Sequence, residues 1–548
     1  MNKFTSLIIR NSLFYASEEM GIALRNSAYS PNIKERMDHS AAIFDQNAML
    51  LAQAEHIPVH LGSLPLGLKN TISFLHKEGI EMEEGSMIIV NNPYIAGTHL
   101  NDVTLVRPIY YKGKLVAFSA NKAHHSDVGG KVPGSISVDA KSIYEEGIIL
   151  DPIFLIRNNE FQMDIFKIFS TNSRNPYERM GDLKAQVAAN LTGEKRVLEI
   201  INKYDLDSFS NANEEAFTYS ENLFRKKLEK IKKGTFYGED YLENPDGHKI
   251  VMKVKIDILD KKISVNYEGT SAQLENPLNA VLGVTISGVH YVFRTLLGEN
   301  IPLNEGAFKL IDTIIPKRSI LNPEFPAPVA GGNVETSQRN ADLLYLAMSE
   351  CMPEDVPAAS GGSMNNVMIG GVSKNRSWAF YETIGVGLGG MKGKDGTDGI
   401  QSNMTNTMNT PIEEIEKNYP ILVKKYEFRK DSSGPGEFRG GSGLVRSFQM
   451  LENGITITVL SERGKSQPWG LFGGMPGERT SVYVKKNKRK YRSSIKVTLT
   501  LQNGDSIEIR TAGGGGYGDP KKRDRNEILK DLENGLISKK YSKKYYDY

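Results

Sequence analysis

The stretch TLVRPIYYKGKLVAFSANKA, residues 104–123, predicts the element from which the fold can be built outward. Apolar and β-branched residues are dense in both halves of it, and Lys112 and Gly113 stand between the halves. Two such runs joined by a short glycine-containing turn are typical of a β-hairpin. The segments AAIFDQNAMLLAQ (41–53) and IIVNNPY (88–94) also have the composition of strands, so we expect a sheet in the first part of the chain.

Helices are expected before and after this sheet in the sequence. Residues 5–28 carry apolar residues three and four apart and no proline, which predicts an amphipathic helix that ends before Pro31. Residues 181–205 and 214–234 predict two further helices. We therefore expect residues 1–235 to form a mixed α/β domain.

The pattern changes at about residue 236. Short alternating strands followed by helical segments predict a β-meander with helices over residues 236–354. Residues 355–520 begin with a long stretch rich in Gly, Ser, Asn and Thr and continue with short strands, which predicts a β-rich domain. Residues 521–548 predict a solvated helical tail, with a basic interaction arm as the alternative. The expected fold class is α+β with several domains.

The composition excludes several classes of protein. The chain has 548 residues, 39% hydrophobic and 24% charged, so it is neither a small binding module nor a disordered chain. Lys and Arg number 68 against 65 Asp and Glu, which does not favour a nucleic-acid binder. No stretch approaches the roughly 20 apolar residues of a membrane helix, and Cys351 is the only cysteine. These features predict a soluble, cytoplasmic protein.

The sequence shows no convincing phosphate-binding loop. The glycine-rich stretch AGGGGYGDP (512–520) is not followed by a helical pattern and has no Lys-Ser or Lys-Thr pair. We therefore expect this chain not to bind a nucleotide.

The histidines indicate a site in the first part of the chain. Seven of the nine lie between residues 39 and 125. The densest group stands in NNPYIAGTHLNDV (91–103) and NKAHHSDVGGKVPGS (121–135), two segments rich in turn residues. Imidazoles and a carboxylate that converge on one point are the ligand set of a Zn, Mn or Fe ion. The alternative is that these histidines have a structural role, with their ring nitrogens hydrogen-bonded within the core or in turns.

Five side chains of these two segments are candidates for the site: His99, Asp102, His124, His125 and Asp127. Adjacent side chains on a strand point to opposite faces, so only one of His124 and His125 is expected to bind an ion.

Two further histidines, His56 and His60, stand four apart in AEHIPVHLGSLP (54–65). Because Pro58 lies between them, an extended segment is expected rather than one helical face. They are candidates for catalytic or supporting groups, with a purely structural role as the alternative.

A second cluster of polar loops lies in the C-terminal half. It comprises GGNVETSQR (331–339), AASGGSMNN (358–366), YETIGVGLGG (381–390) and NMTNTMNTP (403–411). Small polar side chains suit a neutral, amide-like substrate or the oxyanion that it forms. The candidate substrate-binding residues are Asn333, Glu335, Asn366 and Asn406; the alternative is that these residues form the turns of a β-rich domain.

Nine motifs, in this order along the chain, carry a resemblance to a known family. They are ERMDHSAAIFD (35–45), AQAEHIPVHLGSLP (52–65), NNPYIAGTHLNDV (91–103), ANKAHHSDVGGKVPGS (120–135), EEG (145–147), RNPYERMGDLKAQVAAN (174–190), GGNVETSQR (331–339), NMTNTMNTP (403–411) and TAGGGGYGDP (511–520). Together they strongly resemble the hydantoinase B family. That family includes B subunits of ATP-dependent N-methylhydantoinases, the matching half of 5-oxoprolinases and the larger subunit of acetone carboxylases.

The resemblance implies a division of labour between two subunits. A hydantoinase A-type partner binds ATP and phosphorylates the carbonyl oxygen of a cyclic amide, and the B subunit opens the ring at a divalent metal site. The resemblance implies His99, Asp102 and His125 as metal ligands, which leaves His124 and Asp127 as candidate catalytic groups. Asn92 and Asn403 depart from the residues common in the family. The alternatives are a subunit of an ATP-dependent ketone carboxylase and a non-catalytic scaffold for the partner.

Overall fold

The computed structural model describes residues 3–54, 56–244, 247–298 and 300–548. The helices are α1 (Lys3–Ser27), α2 (Pro31–Lys34), α3 (His60–Lys77), α4 (Pro93–Ala96), α5 (Met163–Thr171), α6 (Pro176–Tyr204), α7 (Leu206–Leu228), α8 (Leu282–Leu297), α9 (Ser337–Met348), α10 (Ile412–Asn418), α11 (Arg525–Glu533) and α12 (Lys539–Tyr545). The predicted helices of the N-terminal half correspond to α1, α6 and α7.

The strands form four sheets. The strands of the first sheet are β1 (His39–Asp45), β2 (Leu50–Gln53), β3 (Met87–Val90), β4 (Asp102–Tyr111), β5 (Lys114–His124), β6 (Ile153–Arg157) and β7 (Glu160–Phe161). Those of the second are β8 (Gly234–Glu243), β9 (Lys249–Ile258), β10 (Ile263–Asn266) and β11 (Ile311–Ile314). The remaining strands are β12 (Asn366–Ser373), β13 (Arg376–Thr383), β14 (Ile421–Phe428), β15 (Leu444–Met450), β16 (Ile455–Leu460), β17 (Ser481–Lys486), β18 (Arg489–Ser493), β19 (Lys496–Leu501) and β20 (Ser506–Arg510).

The predicted hairpin lies at the centre of the first sheet, whose strand order is β2-β1-β5-β4-β3-β6-β7. Lys112 and Gly113 form its turn with φ angles of 50° and 75°. Positive φ at both central residues is typical of the tight turn that matches the twist of the strands. The hairpin prediction is confirmed.

Helices cover both faces of this sheet. Residues such as Ala41 and Ala117 belong to an apolar cluster with α1 and α6. Their neighbours along the strands, Ala42 and Phe118, pack with Leu64 of α3 on the other face. Side chains alternate between the faces of a strand, so from Ala117 to His124 the even-numbered residues of β5 face α3 and the odd-numbered residues face α6.

The C-terminal half is built mainly of antiparallel sheets. Strands β8, β9 and β10 form the predicted meander, to which β11 adds a parallel strand, and α9 packs against β8 and β9. The sheets β13-β12-β16-β19 and β14-β15-β20-β17-β18 share one apolar core, and α11 and α12 follow them. The chain therefore has the expected α+β, multi-domain class, whereas the boundaries at residues 235, 354 and 520 stay a prediction.

The glycine-rich stretch near the C-terminus packs backbone against backbone. The amides of Gly514 and Gly515 donate to the carbonyls of Gly441 and Ala359. A Cβ on Gly514 would lie 1.9 Å from a backbone oxygen of Leu388, so glycine is required for this approach. Within the described ranges, no helix has the length and apolar character needed to cross a membrane.

Candidate metal centre

Three buried side chains meet at the end of the central hairpin. His99 Nε2, Asp102 Oδ1 and His124 Nδ1 form a triangle in which each pair of atoms is 3.2 Å apart. Among the residues that the structure describes, these three form the group of imidazole and carboxylate atoms that could hold a metal ion.

The triangle fits the geometry of a small divalent ion. Ligand atoms about 2.0–2.1 Å from a tetrahedral ion lie about 3.3–3.4 Å from one another, close to the spacing found here. Two imidazole nitrogens and one carboxylate oxygen also have the ligand chemistry of Zn, Mn and Fe sites that keep open positions. His99, Asp102 and His124 could therefore hold such an ion.

The backbone explains how the three side chains come together. Asp102 and His124 stand directly opposite each other in the pairing of β4 with β5. His99 lies in the turn after α4, where Gly97 has a φ of 90° and its Cα faces a backbone oxygen of Ser63. A side chain at Gly97 would be strained and would collide with α3, so this glycine lets the turn lie beside the helix.

His60 holds the second oxygen of the Asp102 carboxylate. It is the first residue of α3, and its Nε2 lies 3.4 Å from Asp102 Oδ2. Its other nitrogen, Nδ1, lies 2.9 Å from Ser40 Oγ on β1. The carboxylate is therefore oriented from the side opposite the triangle.

Burial and neighbouring groups set the charges of this site. Burial alone would raise the pKa of Asp102, but the surrounding imidazoles of His99, His124 and His60 hold it well below its ordinary value. Burial lowers the pKa of His60 and of His124 despite the Asp102 carboxylate. An ionised carboxylate and neutral imidazoles are the forms that bind metal ions.

A buried lysine braces the turn that carries His99. Lys122 Nζ donates to the carbonyl of Ala96 at 2.6 Å and to Thr98 Oγ1 at 3.1 Å. Burial lowers the pKa of Lys122 to about 8, although the Asp102 carboxylate acts in the opposite direction. Its cationic form would lie beside the triangle of His99, Asp102 and His124 and favour anionic groups there.

The structure places His124, and not His125, in the triangle. His124 shares the α3 face of β5 with Phe118, whereas His125 Nε2 lies 2.9 Å from Gln186 Oε1 of α6. Burial and the charge of Arg179 lower the pKa of His125 to about 3. Only one of the adjacent histidines therefore faces the triangle, as strand alternation predicts. That residue is His124, so the structure does not place the expected ligand His125 in the triangle, and which of the two binds an ion stays a prediction.

Two other predicted catalytic residues lie apart from the triangle. His56 packs against Gly21 of α1 and lies 3.7 Å from Glu18, rather than in the cavity beside the triangle. Asp127 is buried and accepts from the backbone amide and the guanidinium of Arg174, both at 2.9 Å. These contacts give Asp127 the environment of a structural ion pair.

A small cavity lies directly against the triangle. Its walls come from distant parts of the chain, among them His60, Asn333, Tyr381 and Met404. Its volume is about 20 Å³, enough for one water molecule or ion. A ring substrate therefore needs a wider opening than this conformation has.

The candidate substrate residues differ in their positions. Asn333 lines the cavity, and its Oδ1 is buried without a hydrogen-bond partner in the described part of the chain. Asn366 Nδ2 donates to Glu335 Oε1 at 2.7 Å, so these two residues are engaged with each other. Burial and the nearby Glu462 raise the pKa of Glu335 well above its ordinary value. Asn406 is exposed on the surface.

Two residues at the site are not among the site residues that the sequence predicts. Asp38 lines the cavity, and its Oδ2 lies 4.0 Å from His124 Nδ1. The ring of Tyr381 stacks on the His124 imidazole with 4.6 Å between centroids. Asp38 immediately precedes β1, which pairs with the end of β5, so the strand pairing is the signal that could have indicated it. Tyr381 comes from β13, and no local pattern links it to the histidines.

The two departures from the family's usual residues have structural contacts. Asn92 Oδ1 accepts from the amide of Tyr94 and caps α4, while its Nδ2 donates to Asp151 Oδ1 at 2.7 Å. Asn403 Nδ2 donates to Asp342 Oδ1 at 3.0 Å. Both asparagines therefore stabilise loops near the site.

Comparisons with known proteins identify the family of this chain. The sequence model of the hydantoinase B/oxoprolinase family matches residues 2–520. An uncharacterized protein of Methanocaldococcus jannaschii is 48% identical over 100% of this chain and 96% of its own length. The 5-oxoprolinase of Dictyostelium discoideum is 38% identical over 92% of this chain, which spans only 39% of that protein.

Relatives of similar length include a named enzyme subunit. The caprolactamase subunit beta of Pseudomonas jessenii is 30% identical over 98% of this chain and 94% of its own length. The crystal structure of the ATP-dependent caprolactamase from Pseudomonas jessenii superposes with a TM-score of 0.93 at 29% identity, over 100% of this chain and 96% of that chain. The predicted family is confirmed, and the chain belongs to the hydantoinase B/oxoprolinase family.

Proposed function

We propose that this chain is the B-type subunit of an ATP-dependent cyclic-amide hydrolase and that it opens the ring at the His99, Asp102 and His124 site. The observation that carries the proposal is the buried triangle of two imidazole nitrogens and one carboxylate oxygen. It occurs in a chain whose relatives include a 5-oxoprolinase and a caprolactamase subunit.

The proposed reaction begins on a carbonyl that the partner has phosphorylated with ATP. Water attacks the carbonyl carbon, the ring C–N bond breaks and the nitrogen takes up a proton, which leaves an acyl phosphate and an amine. A second water molecule hydrolyses the acyl phosphate to a carboxylate and free phosphate. A divalent ion at the triangle would supply Lewis acidity, which can lower the pKa of water from 15.7 to about 7.

The residues of this chain have separate proposed tasks. His99, Asp102 and His124 hold the ion, and His60 orients Asp102 through its second oxygen. Asp38 lines the same cavity and is placed to accept a proton from water there. Asn333, whose Oδ1 has no hydrogen-bond partner among the described residues, is placed to accept a hydrogen bond from a substrate amide.

The partner is a hydantoinase A-type subunit that binds ATP. One relative of nearly the same length is named as a subunit, which supports the assignment of a separate partner. The backbone amides of Gly514 and Gly515 already donate hydrogen bonds to backbone carbonyls, so they are not free to bind a phosphate group.

The experiment is a reconstitution of both subunits with ATP and a panel of cyclic amides such as 5-oxoproline and caprolactam. Ring opening and phosphate release are measured together for the native complex and for Asp102→Asn. We expect the variant to lose ring opening while the partner still hydrolyses ATP. Full ring opening by Asp102→Asn would contradict the proposal, and bicarbonate-dependent carboxylation of a ketone without ring opening would replace it with the carboxylase alternative.

A further inference from the structure

The imidazole of His124 lacks the hydrogen bond that usually fixes a metal-binding histidine. Its Nδ1 faces the triangle, but its Nε2 is buried with no hydrogen-bond partner within the described ranges. Metal-binding imidazoles normally donate their second N–H to a carboxylate or a carbonyl, and this contact sets the plane of the ring. Another contact must therefore orient His124.

Tyr381 supplies such a contact. Its ring lies 4.6 Å from the His124 ring, centroid to centroid, with an angle of 14° between the planes. The guanidinium of Arg36 lies 4.9 Å from the Tyr381 ring, and the Tyr381 side chain is buried. A buried ring held in this way leaves a stacked neighbour little freedom to rotate.

A chain of hydrogen bonds fixes Tyr381 from behind. Its hydroxyl donates to Asn366 Oδ1 at 2.8 Å, and Asn366 Nδ2 donates to Glu335 Oε1 at 2.7 Å and to the carbonyl of Leu460 at 3.1 Å. Asn366, Glu335 and Tyr381 are buried, and each contact in this chain is close to the ordinary length of a hydrogen bond. The three side chains therefore form a rigid tether between the C-terminal sheet and the metal ligands.

We propose that Tyr381 is a positioning residue whose stacked ring holds the His124 imidazole with Nδ1 toward His99 and Asp102, and that Asn366 and Glu335 keep Tyr381 in place. This inference rests on the proposed function, because it assigns a task toward the same metal site. It also reassigns Asn366 and Glu335, which the sequence suggests as substrate-binding residues.

The test measures Co²⁺ binding by the full-length chain, with calorimetry for the affinity and visible absorption for the ligand geometry. Tyr381→Leu removes the ring, and we expect Co²⁺ affinity to fall about 10–100-fold with a changed spectrum. Tyr381→Phe and Asn366→Ala keep the ring but remove the hydrogen bond that holds its hydroxyl, so we expect Co²⁺ affinity to fall about threefold, at the low end of the effect of one hydrogen bond. Tyr381→Phe should therefore bind Co²⁺ with an affinity closer to that of the native chain than Tyr381→Leu does.

Tyr267 offers a matched control. It is fully buried, and its hydroxyl donates to Asn340 Oδ1 of α9 at 2.7 Å. It does not line the cavity beside the triangle. Tyr267→Leu should lower the thermal midpoint as Tyr381→Leu does and leave Co²⁺ affinity unchanged. If Tyr381→Leu does not fold, Asn366→Ala and Tyr381→Phe carry the test.

The outcomes separate this inference from the function on which it rests. Native protein that binds no Co²⁺ would overturn the metal site and the inference with it. Native protein that binds Co²⁺, with the same affinity and spectrum in the Tyr381 and Asn366 variants, would overturn the inference alone.

Discussion

Asp102 and His124 lie directly opposite each other in the pairing of β4 with β5, and Asp102 Oδ1 is 3.2 Å from His124 Nδ1. Opposite residues of an antiparallel pair share one face of the sheet, so strand register alone brings a carboxylate and an imidazole together. His125 follows on the chain but turns to the α6 face, where it contacts Gln186. The proposed metal centre therefore rests on the rigid central hairpin of the first sheet.

His60 should support metal binding without being a ligand. Replacing it with Ala removes the group next to Asp102 Oδ2, and we expect metal affinity to fall about 10–100-fold. His56→Ala is the control, because His56 lies against Glu18 and outside the cavity. Calorimetric titration with Zn²⁺ compares the two variants, and equal affinities would contradict the role given to His60.

Asp127 should act in stability rather than in metal binding. Its carboxylate is fully buried but Arg174 is one-quarter exposed, so Asp127→Asn should destabilise the fold by about 1–3 kcal/mol, the usual cost of weakening the hydrogen bonds of a buried polar group. Urea unfolding measures the loss, and elemental analysis of the folded variant should show unchanged metal content. A variant with native stability and no turnover would instead restore Asp127 as a catalytic candidate.

Asn333 and Asn406 should differ although the sequence suggests both as substrate-binding residues. Asn333 lines the cavity with an oxygen that no group in the described part of the chain bonds, whereas Asn406 is exposed. Asn333→Ala should reduce kcat/KM for ring opening by about tenfold, the effect of one lost hydrogen bond to substrate. Steady-state kinetics of Asn333→Ala and Asn406→Ala test this difference. Equal kcat/KM values for the two variants would contradict a role of Asn333 in substrate binding. A lower kcat/KM in Asn406→Ala alone would indicate that substrate binds at the surface loop.

The stability of the fold should fall in acid through His39. Burial and His56 lower the pKa of His39 to about 3, whereas an unfolded histidine titrates near about 6.5. Between these values the unfolded chain binds a proton that the folded chain does not, so the contribution of His39 is complete above about pH 6.5 and declines as the pH falls toward about 3. The decline is at most about 1.4 kcal/mol per pH unit.

Urea unfolding at pH values of about 7, 6 and 5 measures this dependence. His39→Gln keeps a donor for the Gly21 carbonyl but does not titrate, so its stability should decrease less steeply than that of the native protein. If the free energy of unfolding changes with pH equally in the native protein and in His39→Gln, His39 does not contribute to the pH dependence of stability.

Local sequence pattern predicts the elements of this fold well. The hairpin around Lys112 and Gly113 and the helices at residues 5–28 and 181–205 are all found, because turn chemistry and apolar spacing are encoded in adjacent residues. The alternation rule also limits the adjacent pair His124 and His125 to one residue at the site. It does not decide between them, because the answer depends on which strand face packs against α3 and which against α6.

Contacts between distant segments are what the sequence does not predict. Tyr381 reaches the histidines through the packing of β13 against the first domain, and Asp38 enters the site through the pairing of β1 with β5. The same limit applies to Asn366 and Glu335, whose polarity suggests contact with substrate although they bond to each other. The chemistry of a side chain therefore indicates which residues could belong to the site, whereas only the tertiary structure shows which groups they contact.

The most direct test of the proposed metal centre is the metal stoichiometry of His124→Ala and His125→Ala, measured side by side with the native full-length chain. Inductively coupled plasma mass spectrometry on folded protein gives the ratio of Zn, Mn or Fe to polypeptide. We expect one ion per native chain, the same in His125→Ala, and close to none in His124→Ala, because only His124 Nδ1 faces His99 and Asp102. Loss of the ion from His125→Ala with retention in His124→Ala, or retention in both variants, would contradict this account of the site.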